Sequence, residues 1–178
     1  MKRALLVAGA AAVLACAHTG SPGTRETINP QAPDTTVRGV VYVVGADPFT
    51  HVVVRGPGGD VAVTGLLAGE LRALSGAEVR IAGWPAAPSM PPPRRAVDVT
   101  CYEVLSINGA TPAVGVLFER NGALWLAGRD TVPLVNVPPD FAGRPGDKMF
   151  VVGPMLDGKL SVSTYGVIRR GEGGASLR

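Results

Sequence analysis

Val97-Asp98-Val99-Thr100-Cys101-Tyr102-Glu103-Val104-Leu105 returns, in pattern, as Leu160-Ser161-Val162-Ser163-Thr164-Tyr165-Gly166-Val167-Ile168. Apolar and polar classes agree at most positions, and Tyr102 falls on Tyr165. Both stretches are rich in β-branched residues and alternate at their start, which is the pattern of a half-buried strand. The likeness extends upstream. Gly146-Asp147-Lys148-Met149-Phe150-Val151-Val152-Gly153 matches Gly76-Ala77-Glu78-Val79-Arg80-Ile81-Ala82-Gly83 in spacing, and Gly115-Val116-Leu117-Phe118 echoes Gly39-Val40-Val41-Tyr42. The chain reads as one unit written twice. Its period of about 65–75 residues is too long for a solenoid repeat and is the size of a small barrel.

Each copy has the same order: three strands, a connector, then two strands. In the first, strands are expected at 37–44, 51–54 and 60–64, with Gly56-Pro57-Gly58-Gly59 as a hairpin turn. The connector is the one good helix candidate, 66–74, because Leu67, Leu71 and Leu74 share a helical face and Gly76 sits where a C-terminal cap belongs. Strands at 78–83 and 97–107 complete the copy. In the second, Asn121-Gly122 and Asp157-Gly158 mark tight turns between strands at 115–118, 123–126, 131–137, 146–153 and 160–168. Pro138-Pro139 forbids a regular helix in the connector 137–145.

This order resembles the five-stranded OB-fold, whose connector after the third strand is a helix plugging the barrel. The resemblance rests on pattern over 37–170. It implies a mainly β chain of two tandem OB-like barrels at 37–107 and 113–170, joined by a linker at 108–112, with a frayed tail at 171–178. A single duplicated β-sandwich or irregular barrel is the alternative.

Composition excludes other architectures. With 24 Gly and 16 Pro in 178 residues, long helices and coiled coils are ruled out. With 46% apolar and 17% charged residues, the chain is no disordered polymer. No apolar run reaches the ~18–20 residues of a membrane-spanning helix.

The opening segment carries an address. Met1-Lys2-Arg3 precedes twelve small or apolar residues, 4–15, and then Cys16. Such a helix spans about 18 Å, short of a hydrocarbon core, and no face of it suits water, so it reads as a secretory leader. Val13-Leu14-Ala15-Cys16 resembles the lipobox of bacterial lipoproteins, although Leu14 is bulkier than usual there. The resemblance implies cleavage between Ala15 and Cys16, a diacylglyceryl thioether on Cys16 and an acylated amine, giving a palmitate-type anchor in the lipid bilayer. Two or three acyl chains, at ~0.8 kcal/mol per buried methylene, hold a protein at a membrane. Ala17, in place of Asp, resembles an outer-membrane address, so the expected location is the periplasmic face of the outer membrane. Residues 16–36, rich in Thr, Pro, Gly and Ala, read as a flexible tether of ~25 Å. Loss of Lys2 and Arg3 with the leader lowers the formal net charge from +3 to +1, which argues against nucleic acid as a partner. Acylation of Cys16 also excludes a disulfide to Cys101, expected as a small buried strand residue.

Chemistry-bearing patterns are sparse. His51 is the single histidine of the folded part, no G-x-S-x-G elbow exists, and Asp47, Asp60 and Asp98 are scattered carboxylates, so neither a catalytic triad nor a metal centre is expected and no cofactor is implied. OB barrels bind on one sheet face and the loops beside it. Tyr42, on that face, and Trp84, Arg94 and Arg95, in the Pro-rich segment 84–95, are the candidate partner-binding residues, since aromatic and Arg side chains anchor binding surfaces and prolines lower the entropy cost of presenting them. The expected function is a non-enzymatic, membrane-anchored binding module for a protein or a cell-envelope glycan. A structural subunit without a small ligand, and a hydrolase with an unrecognised site, are the alternatives.

Overall fold

The computed structural model describes residues 33–87 and 95–171. The leader, the cleavage site at Ala15 and Cys16, most of the tether, Arg94 and all of the tail but Gly171 lie outside the described residues. The described residues belong to one compact unit.

The first copy is a closed five-stranded barrel of β1 (Thr35–Val44), β2 (His51–Gly56), β3 (Gly59–Thr64), β4 (Glu78–Ala86) and β5 (Arg95–Ser106), in the order β1-β2-β3-β5-β4. All neighbours are antiparallel except β3 and β5, which run parallel with Val63 opposite Val97. Inward residues of alternating strands fill it: Val41, Val54, Val79 and Ile81 have no exposed surface, each contributing roughly 1.5–3 kcal/mol of apolar burial. The connector between β3 and β4 holds α1 (Ala68–Ala73), whose flanking Leu67 and Leu74 join Leu71 against this core. The helix is shorter than 66–74 because Leu67 takes the cap position and Leu66 is fully exposed.

Other boundaries shift in one direction. β1 begins at Thr35, inside the expected tether, because Thr35 and Thr36 pair with Gly83 and Ala82. β4 runs on through Trp84 to Ala86, and β5 starts at Arg95, so both residues belong to strands rather than to a loop. Cys101, opposite Ala82, is half-buried rather than buried.

The second copy is a seven-stranded sheet of β6 (Ala113–Arg120), β7 (Ala123–Gly128), β8 (Thr131–Val135), β9 (Lys148–Val152), β10 (Met155–Leu156), β11 (Lys159–Ser161) and β12 (Thr164–Arg169), in the order β10-β11-β8-β7-β6-β9-β12. The strand expected over 160–168 is split into β11 and β12, and β10 is an additional short partner of β11. Residues 137–145 form no helix.

The two copies share their pairing register. Val40 opposite Arg55 and Glu78 becomes Val116 opposite Ala127 and Lys148. Ile81 opposite Tyr102 becomes Val151 opposite Tyr165. The parallel pair Val63 and Val97 becomes Leu134 and Leu160. Even the irregularity repeats: β4 and β5 slip between Val104 and Ser106, β9 and β12 between Val167 and Arg169. Gly76 and Gly146 both hold positive φ and donate to the carbonyls of Val41 and Leu117. The turns Asn108-Gly109, Asn121-Gly122 and Asp157-Gly158 place both central residues at positive φ, the geometry that matches strand twist in a two-residue hairpin.

Candidate functional site

Cross-strand partners point to the same side of a sheet, so the register orders the outer face of the first barrel into rows. Asp60, Arg55, Val40, Glu78 and Ser106 form one; Arg38, Arg80 and Glu103 form the next; Tyr42 stands beside Val53 on the other side of the first. The guanidinium of Arg55 donates from Nε and Nη2 to the two carboxylate oxygens of Asp60, at 2.8 and 2.9 Å, and lies 4.7 Å over the Tyr42 ring. The bidentate hydrogen bond with Asp60 raises the pKa of Arg55, and the same bond holds the Asp60 carboxyl below its ordinary value. Arg38 donates to Glu78 Oε1, with Nη2 at 2.8 Å, and Arg80 Nη1 donates to Glu103 Oε2 at 2.9 Å.

A concavity of about 540 Å³ opens between Arg38, Arg55 and Glu78. Gly39 and Gly56 lie within it without side chains, and Val40 and Pro57 supply apolar surface. The glycines are required by the fold: a Cβ on Gly39 would meet the carbonyl of Arg55, and one on Gly56 the carbonyl of Arg38. Gly115 and Gly128 obey the same constraint in the second copy. The side chains around the glycines are not so constrained. The positions of Arg38, Arg55 and Glu78 are taken there by Val114, Ala127 and Lys148, and the outer face carries Phe118 against Trp125, ring centroids 6.3 Å apart.

A second polar cluster joins the copies. Glu70 of α1, only 7% exposed, accepts from Lys148 Nζ and Tyr102 Oη, both at 2.6 Å, and forms an ion pair with Arg169, whose Nε lies 2.9 Å from Oε1. Lys148 also lies 4.6 Å over the Tyr102 ring. Burial pushes the Glu70 carboxyl up, but the hydrogen bonds from Lys148 and Tyr102 and the two cationic charges outweigh it and leave it below its ordinary value. Burial and the bond to Glu70 push the Tyr102 phenol far up, so it stays a donor. Beside this cluster Ile168 of the second copy is buried in the core of the first.

Among the described residues, two of the sequence-derived candidates, Tyr42 and Trp84, stand apart. Thr35 pairs with Gly83, so Trp84 stands past the start of β1, opposite Asp98. Tyr42 lies seven residues further along β1, about 23 Å away at ~3.3 Å per residue. Arg95 opens β5 opposite Val61, and its Nη1 comes beside Gly58 in the turn between β2 and β3. Tyr42 instead belongs with Arg55 and Asp60. The meeting of Arg38, Arg55 and Glu78 depends on strand register, which periodicity does not contain; the only local signal is the alternation of Arg38 with Val37 and of Arg55 with Val54. Glu70 and Lys148, 78 positions apart in the chain, left no signal short of the fold. His51 opens β2, half-buried. Among the described residues no group of three His, Cys, Asp or Glu side chains is arranged to hold a metal ion, and no helix is long and apolar enough to cross a membrane.

Comparison with protein-family models, with curated proteins and with solved structures found no match to this chain.

Proposed function

We propose that this chain is a cell-envelope lipoprotein, held at the periplasmic face of the outer membrane by acyl groups on Cys16, whose duplicated β unit works without catalysis as a binding module for a protein or a cell-envelope glycan. The observation that carries the reading is the leader ending in Val13-Leu14-Ala15-Cys16 ahead of a compact β unit. The unit is read as two OB-like barrels. Support for the second comes from β11 and β12, which together occupy the place of β5: backbone bonds from Val162 N to Val135 O and from Ser163 N to Val152 O carry the pairing across the gap between them. A barrel of this kind leaves a rigid outer face free for a ligand.

The test is metabolic labelling with palmitate and membrane fractionation of the wild type and Cys16→Ser. Label on the wild type and release of the variant to the soluble fraction are expected; an unlabelled chain, or a variant retained at the membrane, defeats the anchoring. Cross-linking in intact envelopes, followed by capture, then reports the partner. Turnover of a hydrolase panel that disappears in His51→Ala would replace the binding reading by an enzymatic one.

A further inference from the structure

We propose that the concavity between Arg38, Arg55 and Glu78 is a binding site for an uncharged saccharide; this rests on the reading of the unit as a binding module and names its ligand. The chemistry of the rim selects the class. Asp60 holds one edge of the Arg55 guanidinium and Glu78 one edge of Arg38. Among the described residues the Nη1 group of each makes no hydrogen bond. A guanidinium has five N–H donors and no acceptor, so the site offers free donors while its carboxylates are already engaged, Glu78 Oε2 accepting from Ser106 Oγ at 3.3 Å. Arg38 and Arg55 are diagonal neighbours across β1 and β2, a relation that sets residues roughly 7–8 Å apart. Both guanidinium groups therefore reach one small ligand.

Charge decides against an anion. Arg38 with Glu78 and Arg55 with Asp60 make a neutral set, and a bare anion would have to compete with carboxylates already in place. Hydroxyl and acetamido oxygens accept hydrogen bonds without that competition. The apolar surface of Val40 and Pro57, with bare backbone at Gly39 and Gly56, gives a pyranose ring a C–H face to lie on. The volume falls within the ~300–1,000 Å³ usual for small-ligand sites. The second copy has Val114 and Ala127 where the first has the two arginines, so the donors are a property of one copy and not a demand of the fold.

Calorimetric titration of the full chain in detergent with tri-N-acetylchitotriose, and separately with maltotriose, tests the site. Binding of at least one is expected, with an affinity unchanged between low and high salt because no net charge is neutralised. Arg38→Gln and Arg55→Gln are each expected to weaken it about tenfold or more, while Arg80→Gln, outside the concavity, leaves it unaltered. Amide shifts of the unsubstituted chain on adding sugar are expected at Gly39, Arg55 and Gly56, which keeps the test valid if a variant misfolds. Absence of binding by both sugars, shifts confined elsewhere, tighter binding of acetate or inorganic phosphate that falls with salt, or preference for an acidic peptide each overturn the proposal. A chain that takes up palmitate but binds no sugar refutes this inference and leaves the anchoring intact.

Discussion

Replacing Glu70 by Gln keeps the shape of the side chain and removes its charge at the point where the two copies meet. Lys148 and Arg169 are then left with a neutral amide, and the Tyr102 hydroxyl keeps a weaker acceptor or loses one. The partners differ in weight. Lys148 is 26% exposed and its bond to Glu70 is short, whereas Arg169 is 58% exposed and solvent screens most of its contribution. A charge-assisted hydrogen bond is worth about 1.5–3 kcal/mol, and breaking a buried pair from one side costs up to about 5 kcal/mol. With Arg169 discounted and Lys148 able to reach water, the expected loss at pH 7 is about 2–4 kcal/mol, or a fall in Tm of roughly 5–15 °C for a unit of this size. The pH dependence gives a second readout. The folded carboxyl titrates below its ordinary value, so its stabilisation is present above the unfolded pKa of about 4.3 and is lost as pH falls through the folded pKa. The gap between wild type and Glu70→Gln should therefore be constant from pH 5 to 8 and narrow in more acid solution. Urea unfolding at several pH values measures both. A loss under about 0.5 kcal/mol at pH 7, or a gap that does not narrow in acid, would show that Glu70 does not fasten the copies together.

Ile168→Ala, from the second copy but buried in the first core, should cost about 2–5 kcal/mol and lower a single unfolding transition, read by calorimetry; two separated transitions would mean the copies unfold independently. Gly39→Ala and Gly115→Ala should each destabilise by about 1–3 kcal/mol, since the new methyl meets the carbonyl of Arg55 or Ala127; a silent pair in thermal melts would contradict the shared close approach. Gly122→Ala has open space around it but φ of 72°, so a smaller loss of about 1 kcal/mol is expected from backbone conformation alone. Arg94→Ala with Arg95→Ala should weaken capture of an envelope partner without lowering Tm; unchanged capture removes that segment from the binding surface.

The parts of the fold legible in the sequence are those written locally. The Asn-Gly and Asp-Gly turns and the helical face of Leu67, Leu71 and Leu74 depend on residues close together in the chain, and the alignment of Tyr102 with Tyr165 compares two short patterns each complete in itself. Strand ends were less legible, because Trp84-Pro85-Ala86 carries Pro and no alternation, yet pairs with Ala96-Val97-Asp98 once β5 lies alongside. The split between β11 and β12 was hidden for the opposite reason: Leu160-Ser161-Val162-Ser163 alternates without a break, and the chain departs from strand geometry only where Val162 and Ser163 turn their amides to Val135 and Val152. The concavity and the Glu70 cluster depend on register between distant strands, which one-dimensional periodicity does not contain.

The repeat also explains how the second copy manages without a helix. Ala77, which follows Gly76 in the first copy, is 3% exposed and sits in the core with Leu71 and Leu74 of α1. Its counterpart is Asp147, equally buried, and where the helix would be there is the proline-rich connector. Asp147 replaces apolar packing by hydrogen bonds: its carboxylate accepts from the backbone N–H of Arg144 at 3.0 Å, from the N–H of Gly171 at 2.9 Å and from Arg170 Nη1 at 2.7 Å. Burial pushes this carboxyl up, and the two backbone donors with Arg170 more than reverse it, leaving it below its ordinary value. One side chain thus ties the connector at Arg144 and the chain end at Gly171 to the sheet. Asp147→Ala, which restores the residue of the first copy, should therefore destabilise rather than stabilise, by about 2–4 kcal/mol, because two backbone donors and one guanidinium lose their acceptor. The sign in acid follows that of Glu70: the stabilisation is present above the unfolded carboxyl pKa and fades as pH falls through the folded one. Hydrogen exchange should show the damage first at Gly171 and Arg144 and not in the first barrel. If Asp147→Ala raises Tm, the connector is held by packing alone and the carboxylate is not what replaces the helix.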